Sequence, residues 1–214
     1  MFKIKNISSN IFLLLFDKRE QMCKTLLRFQ EYYESPKFKK KIFTLKEFKA
    51  WYAKSKGLKK FTYSQDWNGF NFPSYVLRPF YQGKFKLLTP AEKKILSTFK
   101  NNKGKFYVIA TASHGDTHTK EHEIAHALFY LDKQYKVDMR QAVESLNKND
   151  RKKFESYLKK LGYDRSVFMD ETQAYIISYT EQELHSDAGK SFANNKKYIY
   201  SIFTSKSKGL KNNP

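Results

Sequence analysis

Four of the chain's five histidines, His114, His118, His122 and His126, stand four residues apart in one stretch, HGDTHTKEHEIAH. On a helix, residues four apart lie on the same face about one turn apart. His122 and His126 can therefore aim two imidazoles at a single ion. Glu123 is rotated about 100 degrees from His122, which sets its carboxylate beside that ion without making it a ligand. Two His and a third protein ligand hold zinc with one position open to water, and lower that water's pKa towards neutrality. A carboxylate at Glu123 can then take the water's proton. The residue types and their spacing support metal-assisted hydrolysis.

An overlapping motif, His118-Thr119-Lys120-Glu121-His122, has the inverted order H-x-x-E-H and shares His122 with the first, so only one of the two can be the site. The residues after His122 are apolar, as a buried helix requires, whereas the inverted motif encloses Lys120. His122 and His126 are accordingly the expected pair. His118 is left as a substrate-side histidine or an exposed residue of the first turn, and His114, preceding Gly115, falls in a loop.

The surrounding elements follow from periodicity and caps. Residues 2–16 read as one or two strands with a turn at Ser8-Ser9-Asn10, and residues 18–33 as a helix. Thr44…Glu47 and Thr89-Pro90…Glu92 are capping boxes, the second with proline at N1, opening helices at 45–56 and 90–100. Residues 61–85 are rich in aromatics without a sustained period, and read as an ordered packing loop or a substrate-facing wall. A strand over 106–112 leads into the histidine helix, expected over 119–133. Further helices are expected over 138–147, over 151–161 with Gly162 ending it, and over 170–184. The tail from Ser205 reads as frayed.

The histidine segment resembles the zincin metallopeptidases. Thr119, three before the first motif His, fits their pattern, as do Ile124, Ala125, Ala127 and Leu128; Lys120 stands where they have an uncharged residue. The metzincin branch would put a third ligand at Asp132, but that branch needs a glycine where Phe129 stands. The gluzincin branch takes a Glu from a later helix, and the resemblance thus implies Glu171 in Asp170-Glu171-Thr172-Gln173-Ala174-Tyr175 as third zinc ligand, with Asp170 as a cap or a partner beside the ligands. It further implies an oxyanion-stabilising Tyr or His, for which Tyr163, Tyr175 and His185 are the candidates. The implied activity is that of a zinc-dependent metallopeptidase, with Glu123 as the base.

At 214 residues, with 40% hydrophobic content, 19 Phe and 15 Tyr, the chain can bury a core. The lone Cys23 excludes a disulfide framework and reads as a core thiol. The apolar run 11–16 is too short to span a bilayer and has no cleavage site after it, so no transmembrane segment is expected and the compartment is read as cytoplasmic, with leaderless export left open. A net charge of +20, from 41 Lys and Arg against 21 Asp and Glu, has two readings. One is an acidic partner, either nucleic acid or an anionic surface; the other is the Lys-, Asn-, Ile-, Phe- and Tyr-rich composition of AT-rich coding. The rival class of function is therefore a basic nucleic-acid- or acidic-surface-binding protein whose metal site is structural or vestigial.

The expected fold is α+β and mostly helical, zincin-like, with a small sheet whose edge strand, near 106–112, flanks the active-site helix. Residues 1–100 are expected to pack on a metal-binding region over 101–205, followed by a disordered basic tail over 206–214.

Overall fold

The computed structural model describes residues 2–112 and 117–210; His114 and the end of the tail, 211–214, lie outside the described residues. The elements in order are β1 (Phe2–Ser8), β2 (Ile11–Phe16), α1 (Arg19–Glu34), α2 (Leu45–Ser55), α3 (Tyr63–Asp66), β3 (Gly69–Pro73), α4 (Arg78–Tyr81), α5 (Pro90–Phe99) and β4 (Tyr107–Ala112). They continue as α6 (Thr117–Leu131), α7 (Lys133–Glu144), α8 (Lys148–Leu161), α9 (Phe168–Ser178), α10 (Glu181–Asp187) and α11 (Lys190–Ser207). The fold is α+β, predominantly helical with one small mixed sheet among the described residues. None of the described helices is long and apolar enough to cross a membrane.

The sheet order is β1-β2-β4-β3, with β2 and β4 parallel and both outer strands antiparallel to their neighbours. Side chains alternate across a strand, and here the alternation separates two cores. Ile11, Leu13, Tyr107 and Ile109 point to a core shared with α6, α7, α8, α9 and α11. Phe12, Leu14, Phe16, Val108 and Ala110 point to the other, with α1, α2, α5 and most of the chain's buried phenylalanines. A buried strand with both faces covered carries a continuous apolar run, which is why IFLLLF has no polar alternation.

Local signals set most of the boundaries. Both expected capping boxes form, Thr44 with Glu47 and Thr89 with Glu92, and Gly162 ends α8 in the left-handed conformation at φ 100°. Cys23 is buried, and burial pushes its thiol up to about 12, as a core thiol requires.

Four features differ from expectation. The strand over 107–112 is interior, and the edge beside α6 is β3, a strand of Gly, Phe, Asn, Phe and Pro whose composition disguises it. The helix expected over 170–184 is two helices, because Tyr179 is extended and a third capping box, Thr180 with Glu183, restarts the chain. Helix α7 begins at Lys133, five residues before the expected start, with Asp132 as its N-cap accepting from the Tyr135 amide. Lastly, α11 was not expected; it continues to Ser207, which is buried, and Lys208–Leu210 add a 3-10 turn, so the tail is ordered beyond Ser205.

One buried ion pair ties the N-terminal elements together. Arg28 of α1 grips Glu92 at the start of α5 through two bonds of 2.6 and 2.5 Å, and donates to the carbonyls of Lys86 and Leu87. Both side chains are fully buried. Removing one partner strands a buried charge, at a cost of about 3–5 kcal/mol. Arg28→Ala should destabilise by that order in urea unfolding, whereas Arg28→Met with Glu92→Gln, which keeps an acceptor for the Thr89 amide, should recover most of the loss; equal losses in the single and double variants would refute the assignment.

Candidate metal centre

Helix α6 carries His122, Glu123 and His126, and α9, packed across it, carries Asp170 and Glu171. The His122 and His126 Nε2 atoms face each other at 3.1 Å. Glu171 approaches both, its Oε2 lying 3.7 Å from His122 Nε2 and its Oε1 3.7 Å from His126 Nε2. One donor atom from each of the three side chains falls within 4.8 Å of the others, and among the described residues no other group of His, Cys, Asp and Glu gathers in this way.

The remaining ring nitrogens are anchored. His126 Nδ1–H donates to Asp170 Oδ1 at 2.9 Å, and Asp170 is held in turn by Gln173, whose carbonyl accepts from the Tyr135 hydroxyl of α7. His122 Nδ1 lies 3.2 Å from Ser178 Oγ. With both Nδ1 atoms engaged, the Nε2 lone pairs are turned towards the common point. This outer support is what orients imidazole ligands at metal sites. At the C-terminal end of α9, Lys196 of α11 donates to the carbonyls of Ile176, Ile177 and Tyr179, which fixes the turn that presents Ser178.

The donor set passes a test of fit for a cation. Glu171 Oε2 is buried and has no hydrogen-bond partner, a costly state for a carboxylate. Burial pushes the Glu171 pKa up to about 8, against the pull of the His126 charge. Burial works against charge on His126 as well, but the Asp170 and Glu171 carboxylates outweigh it and hold its pKa well above the ordinary value. Burial and the charge on His126 together drive His122 well below. A divalent ion at this point would pair with Glu171 and both imidazoles. Two nitrogen donors and one carboxylate suit zinc, and the three protein ligands leave a fourth position.

His122 and Glu123 border a cleft of about 540 Å³ whose wall also includes His118, Trp67, Gly69, Tyr163, Tyr175 and Ser178, while His126 and Glu171 lie behind that lining. The cleft's size is within the range of small-molecule and peptide sites, roughly 300–1,000 Å³. His118 lies at the rim, with Nδ1–H donating to the Ser178 carbonyl at 2.7 Å, and does not join the ligands. Glu121 of the inverted motif instead accepts from Tyr200. Of the oxyanion candidates, Tyr163 and Tyr175 line the cleft, their hydroxyls 3.4 Å apart, and the Tyr175 ring meets His122 edge-on at 5.0 Å. His185 is exposed on α10 and lies outside the cleft lining. Asp132, which caps α7 and pairs with Lys206, is likewise no ligand.

Sequence reasoning missed the residues that hold Glu123. Asn71 of β3 donates to Glu123 Oε2 at 2.8 Å, while its own carbonyl oxygen accepts from Tyr107 and its backbone amide donates to Gln30. Gly69 leaves room for the other oxygen, since a Cβ there would come within 2.2 Å of Glu123 Oε1. Burial raises the Glu123 pKa to about 7, against the pull of His126 and Asn71. The only sequence signal for these two positions was the alternation of Gly69, Asn71 and Pro73 with Phe70 and Phe72.

These shifts imply a pH dependence for metal-free protein. Glu123 and Glu171 have folded pKa values raised above the ordinary 4.5, to about 7 and about 8. Their stabilising contribution is thus present below pH 4.5 and lost as pH rises through the folded values. The raised His126 acts in the same sense, and the depressed His122 opposes it as pH falls below 6.5. The Tm of EDTA-treated protein should fall between about pH 5 and 8, and zinc should restore it most at the alkaline end; a Tm that rises over that window would refute the picture. No family model, curated protein or solved structure matches this chain, so the geometry of the centre is the basis for assigning its chemistry.

Proposed function

We propose that the protein is a zinc-dependent metallopeptidase. The observation that carries this reading is the buried, unpartnered Glu171 oxygen beside two imidazole Nε2 atoms that face each other, with His122 and Glu123 of the same group at the wall of an open cleft. Bound zinc would supply Lewis-acid polarisation of a carbonyl and a water of near-neutral pKa. His122, His126 and Glu171 would hold it. Glu123, fixed by Asn71 and poised near neutrality by burial, accepts a proton from the attacking water as the new C–O bond forms, then returns it to the departing amine as the C–N bond breaks. Tyr163 and Tyr175, whose pKa values burial keeps well above the ordinary range, remain protonated and can donate to the developing oxyanion.

The sheet edge constrains how an extended peptide lies. On the outward side of β3, the Asn71 amide is taken by Gln30 and Pro73 has none. Backbone pairing with a substrate strand is therefore confined to the end nearest Gly69, which borders the cleft.

The rival reading, a basic binding protein with a structural metal, needs a fourth protein ligand, and three gather among the described residues. Purified protein should bind about one zinc per chain. Glu123→Gln should keep the metal while cleavage of a mixed peptide substrate falls by about 10²–10⁴-fold, and Glu171→Gln should weaken metal binding itself. Gly69→Ala should lower kcat with little change in zinc content, by displacing Glu123. Protein that takes up no zinc at neutral pH, or Glu123→Gln with undiminished activity, would sink the proposal.

A further inference from the structure

A second, smaller chamber of about 190 Å³ adjoins the cleft, and Lys56, Trp67, Leu161 and Tyr163 border both. It is smaller than the roughly 300–1,000 Å³ of a complete small-molecule site and matches a single long side chain. Its wall includes Glu31 and Glu34, three residues apart on α1 and so on one face of that helix. Aromatic rings of Trp51, Tyr52, Trp67 and Tyr163 form further walls. Lys56 and Lys160 also border it and are exposed, and the Lys56 ammonium lies 5.8 Å from the centre of the Tyr52 ring, so one of the chamber's aromatic walls already meets a cation.

The polar groups in this chamber are incompletely matched. Glu31 accepts from the Tyr63 hydroxyl at 2.6 Å, and Glu34 accepts from Gln30. Ser35 Oγ and Trp67 Nε1 are buried without a hydrogen-bond partner. Glu34 is also within electrostatic reach of Glu171, Glu123 and His126, so the chamber joins the metal centre rather than lying apart from it. Burial pushes the Glu31 carboxyl up to about 7 and Glu34 well above its ordinary value. One buried and one half-buried carboxyl group beside the unpartnered Ser35 hydroxyl, walled by aromatic faces, suit an organic cation, which would offset their desolvation and stack on the rings. The unpartnered indole N–H, at the junction of the two chambers, suits a backbone carbonyl. A basic protein surface does not forbid such a guest, because charge beyond about 8 Å is largely screened at physiological salt.

We propose that this chamber binds the alkylguanidinium or alkylammonium side chain of an arginine or lysine, and so makes the neighbouring centre selective for basic peptides. The selectivity rests on the metallopeptidase reading; the binding of the cation does not.

The chain has two tryptophans, and both wall the chamber, so intrinsic fluorescence and the two indole N–H resonances report occupancy directly. Nα-acetylargininamide should bind about ten-fold or more tightly than Nα-acetylcitrullinamide, its neutral isostere, as the loss of a charge-assisted bond implies. Glu31→Gln and Glu34→Gln should bring that ratio close to one. Equal affinities for the two probes in the unaltered protein would overturn the proposal, as would a preference surviving both substitutions. Butylguanidine, which lacks the backbone, should bind more weakly; equal affinity would mark a site for small free cations and overturn the peptide assignment. For zinc-loaded protein, replacing a single arginine by citrulline in a cleaved peptide should lower kcat/KM by about ten-fold. Cleavage without that preference overturns the chamber's role in selectivity. Arginine binding without cleavage of any peptide overturns the metallopeptidase reading and leaves the cation site standing.

Discussion

The buried carboxylate of Glu171 between two imidazoles is the constraint on which the rest of this structure depends. A carboxylate oxygen without a partner in the interior is expensive, and its neighbours are arranged as though to be used rather than to relieve it. Asp170, one residue earlier, faces His126 Nδ1 instead of competing for Nε2. Ser178, at the far end of the same helix, faces His122 Nδ1. Helix α9 thus touches both histidines from behind with its two ends and meets them from the front with Glu171. Its short length and abrupt end at Tyr179 follow from that task, because a continuous helix to 184 would carry no free turn for Lys196 to fix beside Ser178.

The sheet serves the same centre from the other side. Strand β4 carries Tyr107, β3 carries Asn71 and Gly69, and these position the Glu123 side chain through one hydrogen bond, one supporting hydroxyl and one missing Cβ. Glu123 is therefore held by the strands while His122 and His126 are held by α9. The supports come from different parts of the chain, those of Glu123 from before residue 112 and those of the two histidines from after 130.

A chain with a net charge of +20 gathers carboxyl groups in its interior: Glu34 lies within electrostatic reach of Glu31, Glu123 and Glu171, and Asp170 within reach of Glu123 and Glu171. The lysines spread over the surface, where solvation costs little. Composition alone left two readings of the charge, an acidic partner for the surface or the Lys-rich composition of AT-rich coding; surface cations and interior carboxyl groups coexist because they occupy different dielectric environments.

Much of this was legible in local pattern. The His122–Glu123–His126 geometry follows from helical pitch, and the starts of α2 and α5, with the end of α8, follow from capping chemistry that spans three or four residues. These features depend on neighbours within a single turn, so the order of residues is enough to state them. Glu171 could be singled out only through the zincin likeness of the histidine segment, and the break after Ser178 was hidden in a run that reads as one amphipathic helix. Asn71, Gly69 and Ser178 carried no mark of their roles, because each acts on a side chain 52 or more residues away, and neither did the carboxyl groups of α1, because these contacts exist only once both cores have closed on the sheet. Spacing along a helix is a property of the chain, whereas the approach of Glu171 to the two histidines, the support of Glu123 and the acidic side chamber are properties of packing between distant segments.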